Sequence, residues 1–273
     1  MLVKQTIALF LLVCLLSGCM RPAAPAQVSP SQVSPTIPTA LPPAVTSPTA
    51  SNPFGIIINL NSPARLELVK SLHLAYFRPS DAVIIDNWNE NCRQCQAAQE
   101  AGLKLVLTVR ASGGGLRGAS APPTDIQAYQ QTLSEILDRL QPVILVVENE
   151  ENSIIFYTGT PQEYASELKA ACQLAHDKNI PCTNGGIVSA LVVLLTWENY
   201  FSQGDQTAAC DFAQLTEVDL GDSRLSAADL CAAQSLQDLP EQVRQNLEKG
   251  KALLEVYRSA DIDFMNFHWY ITD

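Results

Sequence analysis

Short apolar runs alternate along the chain with longer segments whose apolar positions recur at a helical period. Residues 55–60 read as a first strand, Gly-Ile-Ile-Ile-Asn-Leu. Ser62 then serves as an N-cap with Pro63 at the first helical position, and Leu66, Val69 and Leu72 follow at helical spacing. Residues 75–78 form a short second strand, and residues 81–88, with Ala-Val-Ile-Ile, fit either a strand extension or a loop packed on the sheet. A helix over 90–101 stops at Gly102, and residues 103–110 make a third strand that runs into a glycine-rich loop at 112–118. Thr124-Asp125-Ile126-Gln127 is a capping box opening a helix with Ile126, Tyr129, Leu133, Ile136 and Leu140 on one face. The fourth strand lies in residues 143–152, where five apolar, mostly β-branched residues give way abruptly to Glu-Asn-Glu-Glu-Asn. Such an unbroken apolar run indicates a strand buried on both faces of a parallel sheet.

The second half repeats the pattern. Thr160 to Glu163 is another capping box, with Tyr164, Leu168, Ala171 and Ala175 as the buried stripe of its helix. Residues 181–187 form a fifth strand, whose Asn184-Gly185-Gly186 lets a ligand or a neighbouring backbone approach closely, making Asn184 a candidate substrate-binding residue. An apolar helix spans 190–201, and a polar excursion over 203–239 reads as an insertion. A helix with Val243, Leu247, Gly250, Leu254 and Tyr257 in register precedes a sixth strand at 264–270.

Six strand–helix alternations with short connections imply a parallel sheet, and eight would close a barrel. The alternative, a doubly wound open sheet, is disfavoured because Asn61-Ser62-Pro63 replaces the glycine-rich turn of a dinucleotide site. The expected fold is α/β: a TIM (β/α)8 barrel, incomplete, with about six of eight units present. Gly113-Gly114-Gly115 lacks the Gly-Lys-Ser/Thr ending of a nucleotide-binding loop and reads as a cleft wall.

Composition narrows the partners. The 273 residues carry a net charge of −11 with no Lys/Arg cluster, which argues against nucleic acid and favours neutral ligands. Lys4, the apolar run over 6–16 and Leu16-Ser17-Gly18-Cys19 have the layout of an export signal. That ending resembles a bacterial lipobox, which implies cleavage before Cys19 and lipidation of its thiol. The run is too short for the roughly twenty residues that span a bilayer. Residues 1–18 are therefore expected to be a lipoprotein signal peptide, 19–52 a Pro/Ser/Thr-rich tether, and 53–273 the folded domain. The expected location is extracytoplasmic, with a lipid anchor at Cys19 holding the chain to the membrane of the cell envelope. Beyond Cys14 and Cys19, six cysteines in an exported chain favour disulfides of open connectivity. Cys172 with Cys182, and Cys210 with Cys231, would close short loops. Cys92 and Cys95 fit a redox motif or half a zinc site, but no second Cys-x-x-Cys or close His pair exists, so a structural disulfide is preferred and no metal is expected.

Asn149-Glu150-Glu151-Asn152 resembles the Asn-Glu signature of the clan-A glycoside hydrolases, with Glu151 where that family usually has proline. Three further stretches agree in order. Tyr76-Phe77-Arg78 resembles the family's second strand, residues 98–110 its second helix and third strand, and Asp263 to Tyr270 its sixth strand. The resemblance runs from about Phe54 onward. It implies a (β/α)8 barrel and a retaining hydrolysis of O-glycosidic bonds in an oligosaccharide or polysaccharide, without a cofactor. Glu150 would be the general acid/base, its pKa raised by burial and by a second carboxylate. Asn149, Arg78, His268 and Tyr270 would contact substrate or nucleophile, with Trp269 a candidate sugar platform. The family's nucleophile ends strand seven, whereas six strands are legible here, so a truncated reading frame is expected; Glu148 and Asp86 lie in the wrong part of the pattern to replace it. Glu148 shares its strand parity with Glu150 and is expected at the rim or in the cleft. His73 and His176 read as surface residues, and an open sheet edge as a source of self-association. The alternative function is a noncatalytic carbohydrate-binding or cell-envelope adaptor barrel.

Overall fold

The computed structural model describes residues 53–113, 118–216 and 225–270, all within one compact unit, Ala50–Asp273. The expected signal peptide, Cys19 and the whole tether lie outside these residues, as does most of the glycine-rich loop.

The strands are β1 (Gly55–Ile58), β2 (Tyr76–Pro79), β3 (Val83–Ile84), β4 (Lys104–Arg110), β5 (Ile144–Val147), β6 (Cys182–Asn184), β7 (Ile187–Val188) and β8 (Phe267–His268). Six of them form a sheet in the order β1-β2-β4-β5-β6, with β3 paired alongside the end of β4. Strands β7 and β8 make a second pair, bridged to the first sheet between Thr183 and Phe264. Every strand pairing runs parallel. A helix separates most neighbours: α1 (Pro63–Ser71), α2 (Arg93–Glu100), α3 (Ile126–Leu140), α4 (Pro161–Asp177), α5 (Ser189–Ser202), α6 (Gln206–Thr216), α7 (Ala227–Ala232) and α8 (Glu241–Ser259). The protein is thus a mixed α/β molecule with a parallel six-stranded sheet, an arrangement compatible with part of an α/β barrel.

Local chemistry accounts for the helix starts. Ser62 accepts a hydrogen bond from the Arg65 amide, and Thr160 forms a reciprocal capping box with Glu163. At α3 the cap is Asp125, which accepts from the amides of Gln127 and Ala128, one residue later than the Thr124 box would place it. The core lies between sheet and helices. Leu105, Leu107 and Val109 of β4 and Leu145 and Val147 of β5 meet Leu133 and Ile136 of α3 and Tyr164 and Leu168 of α4, all almost wholly buried. Each such side chain contributes about 1.5–3 kcal/mol of transfer free energy.

Four segments depart from the sequence expectation, one being the sixth strand, expected over 264–270 but reduced to Phe267–His268 and paired with β7. Residues 81–88 are a two-residue strand followed by a single 3-10 turn, Ile85–Asn87. The fifth strand breaks in two at Gly185-Gly186, where a Cβ on Gly185 would lie 2.6 Å from the Glu148 carbonyl carbon and 2.8 Å from the Asn149 nitrogen. The excursion over 203–239 contains α6 and α7, tied by the Cys210–Cys231 disulfide. Cys172–Cys182 fastens α4 to β6, and Cys92–Cys95 closes at the start of α2.

Candidate functional site

A cleft of about 720 Å³ opens at the C-terminal ends of the strands. Arg78 comes from β2, Thr108 and Arg110 from β4, Asn149 and Glu150 from just beyond β5, and His268, Trp269 and Tyr270 from the end of β8. Parallel strands bring these ends to one side, so residues far apart in the chain share one wall. Asp81 and Phe156 also line it.

The backbone after β5 is unusual. Glu148 and Glu150 both have positive φ, 69° and 48°. Left-handed backbone costs a non-glycine residue energy and persists where its surroundings enforce it, often at functional sites. Here the turn breaks strand alternation. Glu150 lines the cleft, whereas Glu148 is wholly buried and does not, which corrects the expectation that the two share a face.

Glu150 Oε1 accepts hydrogen bonds from His268 Nδ1 at 2.8 Å and from the Tyr270 hydroxyl. An ionised carboxylate only accepts, so His268 Nδ1 is the donor of this bond. His268 Nε2 lies buried against Gly186, where a Cβ would come within 2.6 Å of it. The other Glu150 oxygen, Oε2, accepts no hydrogen bond from the described residues. Burial pushes the Glu150 pKa up, but the hydrogen bonds from His268 and Tyr270 and the fields of His268 and Arg78 outweigh it, so the carboxyl lies below its ordinary value. The expected upward shift is therefore reversed. Burial and the bond to Glu150 hold the Tyr270 phenol protonated well above its usual range. Arg78 donates from Nε to Thr108 Oγ1 at 2.7 Å, and its charge acts on Glu150 and Tyr270 without a further hydrogen bond to the described residues.

Asn184 lies elsewhere. It is fully buried, donating to Glu151 Oε1 and to the Asn266 carbonyl at 3.0 Å each and accepting from the Asn266 amide at 2.7 Å. It fastens β6 to the segment before β8 rather than facing the cleft. Glu151, also buried, accepts from Asn184 and from the Tyr257 hydroxyl of α8. Burial pushes its pKa up against those two bonds. Glu151 thus serves as a strut between elements, a role that nothing in the local pattern announces.

Asp81 is the cleft carboxylate that the sequence pattern did not single out. It accepts from Gln94 Nε2 at 3.1 Å and Asn59 Nδ2 at 3.4 Å, and its position directly before Ala-Val-Ile-Ile was the available signal. Asp86 is exposed and outside the cleft. His176 is more than a surface residue: its Nε2 lies 2.8 Å from Asp263 Oδ2, and Asp263 also accepts from the Cys182 amide at 2.7 Å. Among the described residues no group of three or more His, Cys, Asp or Glu side chains has metal-holding geometry.

No protein-family model matches the chain, and no curated protein matches it. Among solved structures, a glucosidase from Croceicoccus marinus is similar at 13% identity and a TM-score of 0.40. The match covers 76% of this chain and 47% of the glucosidase, so the chain spans about half of that enzyme's length.

Proposed function

We propose that the protein is a glycoside hydrolase-like (β/α)8 barrel in which Glu150 is the general acid/base. One observation carries the reading. Glu150 is delivered by a left-handed turn into a sizeable cleft, where His268 and Tyr270 fix one of its oxygens and the other accepts nothing from the described residues. That is the geometry of a carboxyl group oriented for proton transfer. Asn149, Arg78, Trp269 and Tyr270, all in the cleft wall, would contact the glycan. A retaining reaction also needs a second carboxyl about 5 to 5.5 Å away to attack the anomeric carbon. In the family that the sequence resembles, this group belongs to strand seven, outside the six-stranded sheet. Its negative charge would raise the Glu150 pKa toward that of an acid.

A second reading rests on the downward pKa. As it stands, Glu150 is an anion, suited to accept hydrogen bonds from sugar hydroxyls without turnover. In that case the barrel is a carbohydrate-binding or envelope adaptor protein. In either reading we infer attachment to the cell envelope through a lipid on Cys19, motivated by Leu16-Ser17-Gly18-Cys19.

The experiment is aryl-glycoside hydrolysis alongside calorimetric titration with oligosaccharides, on the native sequence and Glu150→Gln. Turnover lost on substitution supports the hydrolase; binding without turnover supports the adaptor; neither binding nor turnover across the panel sinks both. Metabolic labelling with a fatty acid, abolished by Cys19→Ala, tests the anchor, and a label that survives the substitution removes it.

A further inference from the structure

Behind the cleft wall two glutamates approach each other out of reach of solvent. Glu148, the first residue past β5, and Glu167, in α4, are both fully buried. Glu148 Oε1 accepts from the Ala111 amide at 2.7 Å and from Ser120 Oγ at 2.8 Å. Glu167 Oε2 accepts from the Tyr157 hydroxyl at 3.0 Å. Glu148 Oε2 and Glu167 Oε1 receive no donor from the described residues, yet the two side chains lie in hydrogen-bonding range of one another. Two ionised carboxylates only accept and repel, so they cannot satisfy each other. One proton between them turns one into a donor and removes both orphaned oxygens.

The neighbouring cation is Arg110, whose Nε lies 3.5 Å from Glu148 Oε2. Two carboxylates and one guanidinium leave a net buried negative charge; with one proton the cluster is neutral. Arg110 also donates from its Nη2 to the carbonyls of Gly118 and Phe156 at 2.8 Å each, and Phe156 lines the cleft. The segment is closed by Ser120, which exchanges backbone hydrogen bonds with Phe156 and Thr158.

We propose that Glu148 and Glu167 share one proton and, through Arg110, position the cleft-wall segment that carries Phe156, so that loss of this proton loosens that wall. The second buried charge competes for the guanidinium and draws it from the two carbonyls. Other groups facing the pair are Tyr129 of α3, Tyr157, Glu151 and, beside Tyr157, Glu163. Apart from Arg110 they are acidic or neutral, so none supplies the missing positive charge. Burial drives the same outcome, pushing Glu148 up from 4.5 to about 7 and Glu167 well above its ordinary value.

Two measurements on the intact protein test this. Infrared spectra in D2O should show the carbonyl stretch of a buried protonated carboxyl at pH 6, and Glu167→Gln should remove the share of that band due to one carboxyl, leaving any share from the buried Glu151. Amide hydrogen exchange of residues 118–120 and 153–158, corrected for intrinsic rates, should rise by up to about tenfold per pH unit while the proton leaves, and stay flat in Glu167→Gln. Tyr157→Phe keeps both carboxyls and removes a donor to the ionised pair, so it should move the transition to higher pH. That variant decides the matter if Glu167→Gln does not fold. A native spectrum without the carboxyl band, a pH response unchanged in Glu167→Gln, or no upward shift in Tyr157→Phe overturns the proposal.

Discussion

His268 Nδ1 and Glu150 Oε1 meet at 2.8 Å although 118 residues separate them in the chain. One residue comes from the end of β8, in the two-stranded pair, and the other from the turn beyond β5, in the six-stranded sheet, so the contact exists only because the two parallel sheets, bridged at Thr183 and Phe264, bring their strand ends together. The contact also fixes an electrostatic consequence. With the Tyr270 bond it holds the Glu150 carboxyl below its ordinary range, and a depressed carboxyl stabilises the fold above its unfolded pKa and loses that contribution as pH falls through the folded value.

His268→Ala should therefore raise the Glu150 pKa and reduce stability at neutral pH by roughly 1–3 kcal/mol, the usual cost of losing a hydrogen bond to a charged group. Carbon-13 NMR titration of the glutamate carboxyls and urea unfolding at pH 7 check both parts. An unchanged Glu150 titration would show that His268 does not govern its charge.

Glu150→Gln should leave the fold nearly intact, since an amide oxygen can still accept from His268 and Tyr270. Where the protein hydrolyses glycosides, turnover should drop by roughly 10²–10⁴, the usual contribution of a general acid/base. Parallel melting curves and initial rates separate this outcome from a folding defect.

Stability should fall as pH rises from about 4.5 to about 7. A raised carboxyl keeps its proton in the folded state while the unfolded chain has lost it, so the native state binds more protons in that window. Urea midpoints at pH 5 and pH 7.5 should differ in that sense, and the difference should shrink in Glu148→Gln. Greater stability at pH 7.5 than at pH 5 would contradict the assignment.

Gly185→Ala should destabilise the protein by about 1–3 kcal/mol, because the new Cβ would meet the backbone of Glu148 and Asn149, which cannot swing aside. Gly250→Ala offers a control. There the nearest atom is Leu191 Cδ1 at 2.8 Å, the end of a side chain that can change rotamer, and alanine favours the helix by up to about 1 kcal/mol. Chemical denaturation of both variants should rank Gly185→Ala as clearly the worse.

Much of the architecture was legible before folding was considered. Apolar runs such as Val-Ile-Leu-Val-Val, the Thr160–Glu163 capping box and the Ser62-Pro63 start depend on neighbours within a few residues, so periodicity and capping chemistry determine them locally. The same locality made Glu150 visible, as a charge at the abrupt end of a buried strand. What tertiary structure alone decided is which way each acid points and what it meets. Glu148, Glu150 and Glu151 lie within four consecutive residues, yet one is turned to Arg110 and Glu167, one to His268 and Tyr270 in the cleft, and one to Asn184 and Tyr257. Their opposite pKa directions follow from partners far off in sequence, because burial and charge act through space, and the left-handed turn that separates them is enforced by packing rather than by residue type.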